Sequence, residues 1–178
     1  MNVPMDVFLE IFLGVVLLAA VIWDIRVAKI PNVITFPGMI IGIIYHGASH
    51  GVSGAGLSIA GLVVGSTVFL PFYLLKGMGA GDIKLMGAVG ALVGLKGVIP
   101  AIVFTALAGG IYALVFILCN PNILKRFIYC SASMLKILVL TGHFILPSLY
   151  EKGKRPQVRY GIAIAAGALF SQWWQFLR

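Results

Sequence analysis

The chain has 178 residues, 61% of them hydrophobic and only 10% charged, with a mean hydropathy of +1.07. Soluble domains carry about 25% charged residues, so a water-soluble globular domain is excluded. The composition predicts an all-α, polytopic integral membrane protein forming one domain over residues 1–178. The formal net charge of +8 does not describe a nucleic-acid surface, because the basic residues fall in short patches between apolar runs and form no single stripe.

Taken in order, the first span is expected over residues 3–23, with Asp6 and Glu10 near its start and Arg26 and Lys29 beyond its end. That asymmetry places the N-terminus outside and Asp24 at the cytoplasmic boundary. Pro31 disfavours helix at Ile30, and Asn32 is the expected N-cap of the second span, residues 33–45, which contains Pro37 and Gly38. Residues 46–56, rich in Gly, Ser and His and free of Lys and Arg, suit an outer loop. His46 and His50 stand four apart, as two metal ligands on a helix would, but no third ligand lies nearby and no metal is expected. The third span, residues 57–75, returns inward to Lys76.

The fourth span, residues 82–94, is short: at about 1.5 Å per residue it covers roughly 20 Å of a hydrocarbon core about 30 Å thick. Its Gly87, Gly90 and Gly94, with Ala88 and Ala91, offer a small-residue face for close helix packing. Lys96 and Gly97 are expected to make the outer turn before a fifth span, residues 98–119. Polar residues recur at helical spacing over residues 122–140, and basic residues flank the segment on both sides. That pattern favours an interfacial amphipathic or re-entrant helix over a seventh span. Lys152, Lys154, Arg155 and Arg159 form the strongest basic patch, readable as a topology signal with anionic-lipid contact or as a substrate-positioning surface. The last span is residues 160–176, anchored by Trp173 and Trp174. The expectation is six transmembrane helices with both termini outside. Cys119 and Cys130 have no metal-like spacing and read as apolar fillers.

Two carboxylates stand out against this background. Asp82 lies in Gly77-Met78-Gly79-Ala80-Gly81-Asp82-Ile83-Lys84-Leu85, and it is one of only five acidic residues in the chain. A carboxylate beside hydrocarbon costs a few kcal/mol, so it needs a reason. One reason is structural: Asp82 caps the following helix, with the glycines as a turn. The second is chemical, because the expected topology brings Asp24 to the same side, also at a helix end. Two neighbouring carboxylates cannot both ionise easily, so they share a proton. One can then act as base toward a water while the other polarises a carbonyl, and the roles exchange as the intermediate collapses. His46 and His50 lie on the other side, His143 is isolated, and no Gly-x-Ser-x-Gly, His-Glu-x-x-His or phosphate loop occurs.

The stretch Gly79-Ala80-Gly81-Asp82-Ile83-Lys84-Leu85 resembles the G-x-G-D-x-K-L signature of the prepilin peptidases, the type IV leader peptidases of the G-x-G-D aspartic protease class. Asp24-Ile25-Arg26 with Ile30-Pro31-Asn32 resembles that family's first aspartate motif, D-x-R followed by I-P-N. Arg159-Tyr160-Gly161 through Gly167 resembles its last-span motif, P-F/Y-G-P-A-L-A-L-G, with Arg159 and Ile162 where prolines are usual. The resemblance implies a membrane-embedded aspartic endopeptidase of the bacterial inner membrane that removes prepilin leaders at the cytoplasmic face. Asp24 and Asp82 would be its catalytic pair, and Gly79, Gly81, Lys84, Arg26, Pro31 and Asn32 supporting residues. It implies no cofactor and no metal, with the prepilin leader and first hydrophobic helix and membrane lipid as partners. Larger members carry an extra N-terminal portion with four cysteines, linked to N-methylation. This chain starts at its first span, so a small, peptidase-only Flp/Tad-type member is expected. Lys84 either tunes the carboxylate pair or reaches toward lipid headgroups.

Three other readings fit less well. A transporter predicts polar residues deep in several spans, whose middles here are mostly apolar or small. A structural subunit of a secretion complex gives no reason for an aspartate in a glycine-rich turn. A presenilin-like protease wants its first aspartate in a Tyr-Asp pair within a span, whereas Trp23 precedes Asp24.

Overall fold

The computed structural model describes residues 7–74, 77–119 and 160–177. The regular elements there are all helices: α1 (Val7–Val27), α2 (Asn32–Leu74), α3 (Ala80–Cys119) and α4 (Tyr160–Phe176). The first three are long and apolar enough to cross a membrane. The expected segment over 122–140, the patch from Lys152 to Arg159, the start of the first span, Leu75, Lys76, Cys130 and His143 lie outside the described residues. Met1–Gly110 with Val158–Arg178 make up one compact unit, and Ile111–Gln157 a second. Of the second, the described part is the end of α3, where Tyr112 and Phe116 stack one turn apart.

On α1 the buried residues are Leu9, Leu13, Val16, Leu17, Ala20 and Asp24, a stripe at helical spacing. Val7, Ile11, Leu18 and Ile22 on the opposite side are just as apolar and are exposed. Both faces are hydrophobic because the outward one meets lipid, not water. Asp24 occupies the next position of the inward stripe, which turns its side chain toward the neighbouring helices. The helix continues to Val27, so Asp24 lies inside the last turn of α1 and not beyond the end of a span closing at Trp23, as expected from the sequence.

The expected outer loop over 46–56 and outer turn at Lys96–Gly97 are both corrected. Helix continues through most of 46–56 and breaks only at His50 (φ −130°, ψ 15°) and Gly51 (φ 64°, ψ −154°). In α3 the break falls at Gly94 (φ 70°, ψ 179°), and Lys96 and Gly97 are helical. A left-handed φ suits glycine, which has no Cβ to clash. Each break reverses the chain. A Cβ on Gly87 would meet Met39 Cε at 3.2 Å and also Ser66 Oγ, so the two arms of α2 lie side by side against α3. A Cβ on Gly65 would meet Met86 O at 2.6 Å and Val98 Cγ2 at 3.3 Å, which brings together residues on either side of Gly94.

The first arm of α3 is the centre of the unit, with residues 85–94 buried without interruption. A helix apolar on every side is one surrounded by protein. Its small residues carry the packing, as the spacing predicted. Gly90 lies against Gly61, Ala88 against Gly38, and Ala91 against Gly42, where an added Cβ would stand 2.6 Å from the Ala91 carbonyl. The break at Gly94 leaves the last carbonyls of this arm without helical donors. Ser58 Oγ donates to Ala91 O at 2.7 Å, and His46 Nε2 lies 2.9 Å from Leu92 O, where it donates in its protonated tautomer. His46 thus serves a helix end.

Candidate active site

Asp24 is 5% exposed. The Ala28 N–H donates to the Asp24 carbonyl at 2.9 Å, closing the last turn of α1, and Ala28 itself takes φ 53°. This is the left-handed position that commonly ends a helix and that glycine usually fills. It reverses the chain and lays Ile30, itself buried, against Gly81: a Cβ there would stand 3.0 Å from Ile30 Cβ and 3.2 Å from its N and O. Gly81 has no positive φ, so what excludes a side chain is this close approach.

Pro31 ends the connection, and its carbonyl accepts the Ile34 N–H at 3.1 Å as α2 begins. Asn32, the expected N-cap, is instead the first residue of α2. Its Oδ1 accepts a hydrogen bond from Lys84 Nζ at 2.8 Å. The Asn32 side chain is thus engaged with Lys84 and not with the N–H groups of its own helix end. The Lys84 ammonium also lies 5.5 Å from the centre of the Phe36 ring. Lys84 therefore ties the start of α2 to the first turn of α3. Arg26 is exposed in the last turn of α1, where a cation complements the helix dipole.

Asp82 is 7% exposed and is the third residue of α3. Its Oδ2 accepts the Gly79 N–H at 2.9 Å, while its own N–H donates to the Gly79 carbonyl at 3.2 Å. The bond from the Gly79 N–H to the Asp82 carboxylate is the return half of a capping box, with Gly79 at the cap and Asp82 three residues in. The other half is missing because glycine has no side chain, and the Gly79 carbonyl takes the Asp82 N–H instead. The expectation that Asp82 itself caps the helix is corrected to that extent. The carboxylate still sits at the positive end of the α3 dipole.

The structure brings Asp24 and Asp82 into one site, each within the electrostatic reach of the other. It adds a residue that sequence reasoning left without a role. The Gly161 N–H, in the first turn of α4, donates to Asp24 Oδ2 at 3.1 Å within the buried interior. The signal was a glycine one residue inside a helix start, within the last-span motif. Among the described residues no three His, Cys, Asp or Glu side chains gather as metal ligands would. Both carboxylates are buried, and each accepts a hydrogen bond from a backbone N–H.

The model of the type IV leader peptidase family matches residues 11–114, more than half of the chain, a range that holds both aspartates. The chain belongs to the type IV leader peptidase family. It is also similar to the prepilin leader peptidase/N-methyltransferase of Xanthomonas campestris pv. campestris, 33% identical over 94 residues. That alignment covers 49% of this chain and 33% of the relative, so the chain spans about a third of the length of the curated relative it matches. No solved structure matches. α4 and its Gly161 lie beyond the segment that the family model covers.

Proposed function

We propose that this protein is a membrane aspartic endopeptidase that cleaves the leader peptide of type IV prepilins, with Asp24 and Asp82 as its catalytic pair. What supports the reading is that two buried carboxylates from separate helices, within electrostatic reach of one another, both lie inside the family segment. The unionised member polarises the scissile carbonyl while the ionised member takes a proton from water. The water oxygen then bonds to the carbonyl carbon. As the tetrahedral intermediate collapses, the C–N bond breaks and the pair delivers a proton to the leaving amine. The pair emerges with one proton between its members, as it began.

In this reading α1, the two arms each of α2 and α3, and α4 make six crossings. The N-terminus lies outside and the site at the cytoplasmic face of the bacterial inner membrane, an orientation supported by Arg26 and Lys29 beside Asp24. The substrate enters with its basic leader in water and its first hydrophobic helix in lipid. A Flp/Tad-type prepilin is the first substrate to offer.

Asp24→Asn and Asp82→Asn preserve shape and remove the shared proton. Each is expected to abolish cleavage of a co-expressed prepilin while the protein stays inserted, and the double variant is expected to be no worse, because the pair acts as a unit. Substantial cleavage by either inserted single variant removes that aspartate from the mechanism.

A further inference from the structure

The two aspartates are held by the same device. Asp82 Oδ2 accepts the N–H of Gly79 at 2.9 Å, and Asp24 Oδ2 accepts the N–H of Gly161 at 3.1 Å. Each donor is a glycine at the start of a helix. In each case a side chain would crowd the oxygen that the backbone serves, mildly at Gly79 and severely at Gly161. A Cβ on Gly79 would lie 3.3 Å from Asp82 Oδ2, and one on Gly161 would lie 2.8 Å from Asp24 Oδ2 and 3.2 Å from its Cβ and Cγ.

The two differ in how the contact arises. Gly79 is three residues from Asp82, so its bond forms as α3 starts. Gly161 is 137 residues from Asp24 and reaches it only when α4 packs on α1. Two further close approaches hold α4 at the right height: Gly109 against Tyr160 and Ala163, and Gly167 against the backbone of Thr105. Asp24 sits at the negative end of its own helix dipole, and the positive end of α4 meets it there. Rotation of the carboxylate about its last bond decides which oxygen faces Asp82, and one strong donor on Oδ2 removes that freedom.

We propose that Gly161 is a positioning residue for Asp24, its backbone N–H orienting the carboxylate that the shared proton requires. The inference rests on the catalytic role of Asp24 proposed above. It assigns to α4 a direct part in the site, in addition to closing the bundle.

Two perturbations separate donor from space. Gly161→Ala keeps the N–H but drives a Cβ into Asp24, which must retreat by roughly 0.5 Å or more to restore ordinary contact. Glycolic acid at position 161, introduced by cell-free translation into nanodiscs, replaces the N–H by an ester oxygen and adds no side chain. Both are expected to lower kcat for a purified prepilin by about tenfold or more, since about 1 Å of displacement can cost on the order of a hundredfold. KM is expected to change little in both. The thermal midpoint is expected to fall in Gly161→Ala, which overpacks the contact, and to change little in the ester variant, which adds no atoms. Gly56→Ala, at an exposed position with no atom within 4 Å of the added Cβ, is expected to leave both constants unchanged.

An ester variant that keeps wild-type kcat overturns the proposal, as does one whose only change is a lower thermal midpoint. If Gly161→Ala fails to insert, the ester variant alone decides. Should Asp24→Asn retain cleavage, the underlying catalytic reading fails. A dead Asp24→Asn beside a fully active ester variant sinks this inference alone.

Discussion

Gly81 offers the sharpest test of how the site is assembled. Its missing side chain lets Ile30, six residues beyond Asp24, rest on the residue before Asp82. An added Cβ would stand 3.0 Å from Ile30 Cβ and 3.2 Å from its N and O, where unstrained carbon contacts sit at about 3.5–4.0 Å. Two of the three atoms are backbone, and Ile30 is buried beside Pro31, so rotation of a flexible side chain cannot absorb the clash. The connection and α3 must separate by roughly 0.5 Å for Ala and by more for the branched Val. With about 1 Å worth on the order of a hundredfold in rate, Gly81→Ala is expected to lower kcat about tenfold and Gly81→Val about a hundredfold. Overpacking of this kind costs about 1–3 kcal/mol in stability, which leaves enough folded protein to assay. The measurement is steady-state cleavage of a prepilin by protein in nanodiscs, with the thermal midpoint recorded alongside. A stably inserted Gly81→Val protein with near-normal kcat would refute the reasoning, because the Asp24–Asp82 spacing could not then depend on this contact.

Two further predictions concern the connection between α1 and α2. Ala28 holds a left-handed conformation that costs a non-glycine residue about 1–2 kcal/mol. Ala28→Gly, after allowing for the greater freedom of glycine in the unfolded chain, is expected to stabilise the protein by about 0.5–1 kcal/mol in denaturation from mixed micelles; a loss of stability would contradict the assigned turn. Lys84→Met and Asn32→Ala each break the 2.8 Å bond between the starts of α2 and α3. Because this bond is exposed, each is expected to cost about 1 kcal/mol or less, and a double-mutant cycle is expected to show coupling of about 0.5–1 kcal/mol. Additive losses would mean that Lys84 acts elsewhere.

Much of this protein is legible from sequence because charge is so scarce in it. Hydropathy alone requires helices, since backbone polar groups in lipid must be satisfied within their own segment. With five acidic residues in 178, Asp24 and Asp82 stand out at once, and Pro31 and Gly79 mark helix starts beside them. Three things belong to the tertiary structure. The first is which face of α1 points inward: Leu9 and Leu18 are equally apolar, one buried and one exposed, because lipid rewards the same side chains as the core does. The second is where the helices reverse. A sequence reading looks for a polar loop, but the break at Gly94 needs none, because Ser58 and His46 from the neighbouring arms meet carbonyls of the broken helix. The third is the set of contacts that only chain reversal can create: Ile30 on Gly81, Lys84 on Asn32, and Gly161 on Asp24. Each joins residues far apart in the chain, and a glycine read alone does not reveal whether it serves a turn, a helix crossing or a carboxylate. That depends on what approaches it, and only the folded chain determines what does.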